Sequence, residues 1–174
     1  RSLVGSEMCI RDRAYPKAGK IETILQKCVE LGIGAFTPFL SERCVKKPEN
    51  RAKTERLRRV AAEAVKQCGR AVVPAVSDVR AFGEVLAELR KHALVLLAWE
   101  EERKNTLKQT LRLHVRAKDI GVIIGPEGGF TAEEARAFIR AGAVPVSLGR
   151  RTLRAETAGM AAVAAVMYEL EGNP

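Results

Sequence analysis

The apolar positions of this 174-residue chain follow two rhythms that alternate along its length. From Lys20 to Leu31 they fall at Ile21, Ile24, Leu25, Cys28, Val29 and Leu31, the spacing of a helix with one buried stripe, and Gly32 follows as a stop. Ala35 to Leu40 reads as a short strand. Between Thr54 and Cys68, residues Leu57, Val60, Ala61, Ala64, Val65 and Cys68 share one side and arginines take the other, which predicts a second amphipathic helix. A strand is expected over Val72 to Val76, a helix over Val79 to Lys91, a strand over Ala93 to Trp99 and a helix over Lys104 to Leu113. Ile120 to Ile124 is a continuous apolar run, the pattern of a buried strand. Thr131 to Ala141 reads as a helix and Val144 to Leu148 as a strand. Strands alternating with helices predict an α/β fold, with a mostly parallel sheet and helices on both faces.

The Ile120 strand runs into Gly125-Pro-Glu-Gly-Gly-Phe130, where a proline and three glycines break regular structure. Thr131-Ala-Glu-Glu134 then has the spacing of a capping box, so a helix starts there. A bare loop between the carboxyl end of a strand and a capped helix is where open α/β sheets bind ligands. The loop is neither G-x-G-x-x-G nor a G-K-[ST] phosphate loop, so an ordinary dinucleotide or ATP is not expected. After Leu148-Gly149 comes a charged loop, Arg150 to Thr157, and then Ala158 to Tyr168, a helix built almost wholly of small residues. Such a helix should be tightly enclosed or lie against a partner subunit, and it is too short to span a bilayer.

Apolar residues make up 47% of the chain, which places it among globular proteins. Four scattered cysteines, with no C-x-x-C and no clustered histidines, argue against a zinc site or a disulfide framework and fit a reducing cytosol. The net charge is +9, and the excess is concentrated. Between Arg43 and Arg70 ten basic residues stand against three acids, a footprint suited to a phosphate backbone. Arg43, Arg56, Arg59 and Arg70 are the candidate phosphate contacts, although a merely solvated helix face has the same composition. Residues 1–13 lack an initiator methionine and an apolar signal core, and they resemble a translated adapter scar. One domain is therefore expected over residues 14–174.

Three segments together resemble a known family. Ile124-Gly-Pro-Glu-Gly-Gly-Phe-Thr131, Leu148-Gly-Arg-Arg-Thr-Leu-Arg-Ala-Glu-Thr157, and Lys27-Cys-Val-Glu-Leu-Gly-Ile33 with Ser41-Glu-Arg43 are similar to the ribosomal RNA small subunit methyltransferase E family, of the SPOUT class. Glu63 to Arg70 fits as well. The resemblance implies a C-terminal trefoil knot, an exception to the rule that chains avoid threading. It also implies S-adenosyl-L-methionine as cofactor, N3 of a uridine in 16S rRNA of the 30S subunit as target, a cytoplasmic location, and a homodimer through the knot region and the last helix. Neither a membrane nor a metal is implied. The cofactor residues carried over are Leu97, Ile124, Gly125, Pro126, Glu127, Gly128, Leu148, Gly149, Arg151, Thr152, Leu153 and Thr157. The family usually has Ile where Thr152 stands.

Arg154 is the expected catalytic residue. Uridine N3 is a poor nucleophile until its imide proton leaves, and a fixed guanidinium would stabilise the anion that forms. A salt bridge to a neighbouring carboxylate is the competing role for Arg154. Glu156 is the nearest base by sequence, but Glu156 and Thr157 also suit capping of the last helix. Glu127 reads as a loop-organising acceptor, Arg150 or Arg151 as a phosphate contact, and His92 and His114 as structural. Family members carry an N-terminal RNA-binding barrel that nothing upstream of Tyr15 supplies, so cofactor binding with weak or absent rRNA methylation is expected. The competing functions are a SPOUT ribose 2′-O-methyltransferase, an inactive RNA-binding or ribosome-assembly module, and a generic nucleotide-binding domain.

Overall fold

Every strand pairing among the described residues runs parallel, as the alternation of strands and helices requires. The computed structural model describes residues 8–9, 13–14, 20–44, 51–117 and 119–171. In chain order the elements are β1 (Met8–Cys9), β2 (Arg13–Ala14), α1 (Lys20–Glu30), β3 (Ile33–Phe36), β4 (Pro38–Leu40), α2 (Arg51–Cys68), β5 (Ala75–Val76) and β6 (Arg80–Ala81). There follow α3 (Phe82–Glu88), a 3-10 turn (Leu89–Lys91), β7 (Leu94–Ala98), α4 (Leu107–Leu113), β8 (Ile120–Ile124), α5 (Ala132–Arg140), β9 (Val144–Val146) and α6 (Ala155–Glu171). Six strands are ordered β6-β4-β2-β8-β7-β9, and three more, β1-β3-β5, form a second set. Only Thr37 separates β3 from β4, so the chain passes from one set to the other in a single bend.

Side chains sort by alternation. Leu94, Leu96, Ile120, Val122 and Ile124 face a core built with α1, α2, α4 and α6. Val95, Leu97 and Ile123 face the other, built with α3 and α5. An all-apolar run whose members alternate between two cores is what a strand covered on both faces needs. The second core holds four phenylalanines. Phe138 lies edge-on to Phe82, Phe130 and Phe39 at centroid distances of 4.8, 5.3 and 6.1 Å. Phe130 is buried there, so it anchors the end of the glycine-rich loop.

Helix α1 ends at Glu30 before Gly32, as its pattern predicts, and the expected strand over Ala35 to Leu40 is divided between β3 and β4. Three expectations need correction. The helix expected over Val79 to Lys91 is a strand, a helix and a 3-10 turn. Arg80 and Ala81 pair with Phe39 and Leu40, and Glu84 accepts the Ala81 N–H at 2.7 Å, so the helix starts only at Phe82. The strand over Val72 to Val76 shrinks to Ala75–Val76, because only these pair with β3; Val72 and Val73 are exposed. Helix α4 starts at Leu107, not Lys104. Glu102 accepts from the N–H groups of Lys104 and Asn105, which bends the chain, and Thr106 caps the helix with Gln109. The two short strands β1 and β2 fall in or at the end of the segment set aside as a scar, pairing with β3, β4 and β8. Residues 1–7 and 10–12 lie outside the described residues, as do Lys46, Lys47 and Glu49 of the basic segment.

Candidate functional site

Three strands end side by side, and the loops leaving them wall a cleft of about 550 Å³. From β7 come Ala98, Trp99 and Glu100. From β8 comes the loop of residues 125–129, and from β9 come Ser147, Leu148 and Gly149, with the start of α6 closing the far side. The walls are held by backbone. Trp99 N–H donates to Val146 at 3.2 Å, Ser147 N–H to Asn105 at 2.8 Å, and Leu107 N–H to Ser147 at 3.1 Å. The β8 loop folds through a turn in which Gly129 N–H reaches the Pro126 carbonyl at 3.0 Å. Gly129 has φ +67°, and a side chain there would run into the Glu100 carboxylate. The Thr131 hydroxyl then accepts from Glu134 N–H at 3.2 Å, and the Glu134 carboxylate returns a bond to Thr131 N–H at 3.0 Å. This is the capping box expected from the sequence.

Of the residues selected for the cofactor, Ile124, Gly125, Pro126, Glu127, Gly128, Leu148, Gly149, Arg151, Thr152 and Leu153 line this cleft, and so does Arg154. Two do not. Leu97 is fully buried on the opposite face of β7, since alternation turns it toward α5, and Thr157 lies on the exposed side of α6. The structure adds Lys20, Trp99, Glu100, Arg103, Gly129 and Ser147. Trp99 and Glu100 follow an apolar strand at its carboxyl end, a signal equal in kind to that of Gly125. Lys20 carried no signal. Its ammonium meets Glu156 at 3.1 Å across 136 positions of sequence.

Helix α6 begins at Ala155, so Glu156 stands in its first turn and not in a loop. Its own backbone N–H, then the Lys20 side chain, hold the Glu156 carboxyl below its ordinary range. A carboxylate satisfied in this way is a poor proton acceptor. It belongs to the helix start, where negative charge is favoured.

The four arginines chosen on charge have different surroundings. Arg43 donates Nη1 to the Gly128 carbonyl at 2.9 Å. Arg56 pairs with Glu22 at 2.7 Å, and Arg59 is exposed on the outer face of α2. Arg70 turns inward. Its Nη1 donates to the carbonyls of Val29 at 2.8 Å and Ile33 at 2.9 Å, closing the end of α1. His92 is buried, with its Nδ1 against the Asp119 carboxylate at 2.8 Å. Among the described residues no three His, Cys, Asp or Glu converge as metal ligands, and no helix is long and apolar enough to cross a membrane.

Comparison with known proteins gives this geometry its context. A family model of the RNA methyltransferase domain matches residues 13–167. Ribosomal RNA small subunit methyltransferase E of Bacillus subtilis (strain 168) is 34% identical over 163 residues, covering 90% of this chain and 64% of that protein. The protein of the same name from Synechocystis is 37% identical over 159 residues, covering 91% of this chain and 52% of that one. The chain thus spans about half to two thirds of the length of these curated relatives. The crystal structure of a ribosomal RNA small subunit methyltransferase E from Neisseria gonorrhoeae bound to S-adenosyl methionine superposes with a TM-score of 0.82 at 30% identity, over 92% of this chain and 65% of that one. The chain belongs to the RNA methyltransferase domain family, among relatives that carry the name ribosomal RNA small subunit methyltransferase E.

Proposed function

We propose that this chain is the S-adenosyl-L-methionine-binding, catalytic part of an rRNA methyltransferase, acting on N3 of a uridine in 16S rRNA of the 30S subunit. The observation that carries the reading is the cleft: three strand-end loops rich in bare backbone, with one guanidinium at the start of α6. Its 550 Å³ suits a small-molecule site, for which about 300–1,000 Å³ is usual. Ile124, Leu148 and Leu153 offer apolar contact to a flat adenine, and the backbone of residues 125–129 and 147–149 offers donors and acceptors. The glycines allow that backbone to come close, which supports the fit. S-adenosylmethionine supplies the methyl group on a sulfonium and leaves as the thioether.

The side chains of this protein do the rest. The Arg154 guanidinium would stabilise the uridine anion over O2 and O4 once the N3 proton has passed to solvent water. Glu156, already held by its own N–H and Lys20, serves the helix and not the proton transfer. The outer face of α2, with Lys53, Arg59 and Lys66 exposed, would attract rRNA phosphate. The segment after β9 returns as α6 to pack on α1 and β8, a path that supports a trefoil knot. Thr157, Ala161, Ala164 and Tyr168 form an exposed stripe along α6 that suits a homodimer. The target places the protein in the cytoplasm.

The test has two stages. Calorimetry should show S-adenosylmethionine binding by the chain, and absence of binding rules against the enzyme reading. Single-turnover reaction with 30S subunits, digestion and nucleoside analysis should then give 3-methyluridine, whereas a ribose-methylated nucleoside would replace the target. Arg154→Ala should lower the methylation rate about 10²- to 10³-fold with cofactor affinity retained, the size expected for one lost donor to a developing anion.

A further inference from the structure

A closed ring of contacts holds the β8 loop, and it passes through two residues that the proposed chemistry does not use. Glu134 is a charged side chain only 7% exposed. Besides capping α5, its carboxylate accepts the Glu42 N–H at 2.7 Å, from the segment just after β4. The next residue is Arg43. Its guanidinium donates to the Gly128 carbonyl at 2.9 Å, and its aliphatic stem covers Gly128, where an added Cβ would stand 3.4 Å from the Arg43 Cβ and 3.5 Å from its Cδ. The loop is therefore tied at Gly128 by Arg43 and at Thr131 by Glu134, and a single peptide joins the two ties. On the other side the Glu100 carboxylate lies against Gly129. A loop that offers bare backbone to a ligand has no side chains with which to hold its own shape. These neighbours hold it.

We propose that Arg43 is a positioning residue of the cleft, oriented by Glu134, and that its guanidinium is committed to the loop and not to RNA phosphate. The inference rests on the reading of the cleft as the S-adenosylmethionine site. Arg43→Ala, Arg43→Lys, Glu134→Gln and the double variant Arg43→Ala/Glu134→Gln would be titrated with S-adenosylhomocysteine by calorimetry. Arg43→Ala should weaken binding about five- to twentyfold, the size of one charge-assisted hydrogen bond. Arg43→Lys keeps a donor without the planar fork, so it should recover part of the loss. The urea midpoint of Arg43→Ala should match the parent, which separates positioning from general stability. The salt dependence of binding to a 16S rRNA fragment should also be unchanged. Glu134→Gln should weaken the cofactor in the same direction, and the double variant should bind no worse than Arg43→Ala, because both act on one tie.

An Arg43→Ala variant with parental cofactor affinity overturns the inference. So does one whose RNA affinity loses a salt slope of about one phosphate while cofactor binding holds. Fully additive losses in the double variant overturn the part assigned to Glu134. A parent chain that binds no S-adenosylhomocysteine overturns the cofactor reading and this inference with it.

Discussion

Gly129→Ala separates what the β8 loop does for the cleft from what it does for the fold, because a matched control exists in the same chain. Gly129 has φ +67°, and Gly142, beyond the end of α5, has φ +108°. An L side chain at such angles costs about 1–2 kcal/mol relative to glycine. At Gly142 a Cβ would meet nothing within 4 Å, so the cost there is backbone strain alone. At Gly129 the new methyl would displace the Glu100 carboxylate, and strain would be relieved by moving a loop that lines the cleft. Both variants should lose about 1–2 kcal/mol in urea unfolding, or roughly 3–6 °C in melting temperature for a chain of this size. Only Gly129→Ala should also bind S-adenosylhomocysteine more weakly, by about 5- to 30-fold if its strain is relieved in the loop. Trp99 is the single tryptophan of the chain and lines the cleft, so its fluorescence reports binding directly. Equal loss of affinity in both variants, or parental affinity in Gly129→Ala, would refute the reasoning.

Arg70→Ala removes bonds to the carbonyls of Val29 in α1 and Ile33 in β3, so it should cost about 1–3 kcal/mol in urea unfolding and leave the salt slope of RNA binding unchanged. Glu156 has a folded-state pKa below its ordinary 4.5. Its stabilisation is therefore complete above about pH 4.5 and is lost as the pH falls through the lower folded value. Glu156→Gln should flatten that acid limb, seen as a smaller drop in melting temperature between pH 5 and pH 3. Ala161→Trp puts a large ring on the exposed stripe of α6 and should shift sedimentation toward monomer; an unchanged dimer would remove that stripe from the interface.

The parts of this molecule that were legible in its sequence are those whose physics is written in contiguous residues. The β8 loop is one. A strand, a proline, three glycines and a capping box lie within fifteen positions, and each has a local meaning that the structure keeps. The long apolar runs of β7 and β8 are another, since only a strand covered on both faces needs every position apolar. What stayed hidden depends on orientation or on distant partners. Leu97 was placed at the cleft because its strand leads there, but its side chain is buried toward α5, and the cleft is lined instead by Ala98 at the strand end and by Trp99 and Glu100 just beyond it. Lys20 finds Glu156 across 136 positions, and Val79 to Lys91 breaks into three pieces because Arg80 and Ala81 pair with a strand forty residues earlier.

The arginines carry the same lesson furthest. Charge density can be counted from sequence, but a guanidinium has five donors and is claimed by whatever acceptors the fold brings within reach. Of the four chosen for RNA, Arg70 is taken by the carbonyls of Val29 and Ile33, Arg56 by Glu22, and Arg43 by the Gly128 carbonyl. Among the described residues of the segment from Arg43 to Arg70, Arg59, Lys53 and Lys66 are exposed cations on α2, and Arg56 is also largely exposed beside Glu22. Arg43 spends one donor on the Gly128 carbonyl of the loop that lines the cleft. In a chain with a net charge of +9 the surplus serves two ends, attraction of phosphate from outside and satisfaction of carbonyls within. Only the fold separates them.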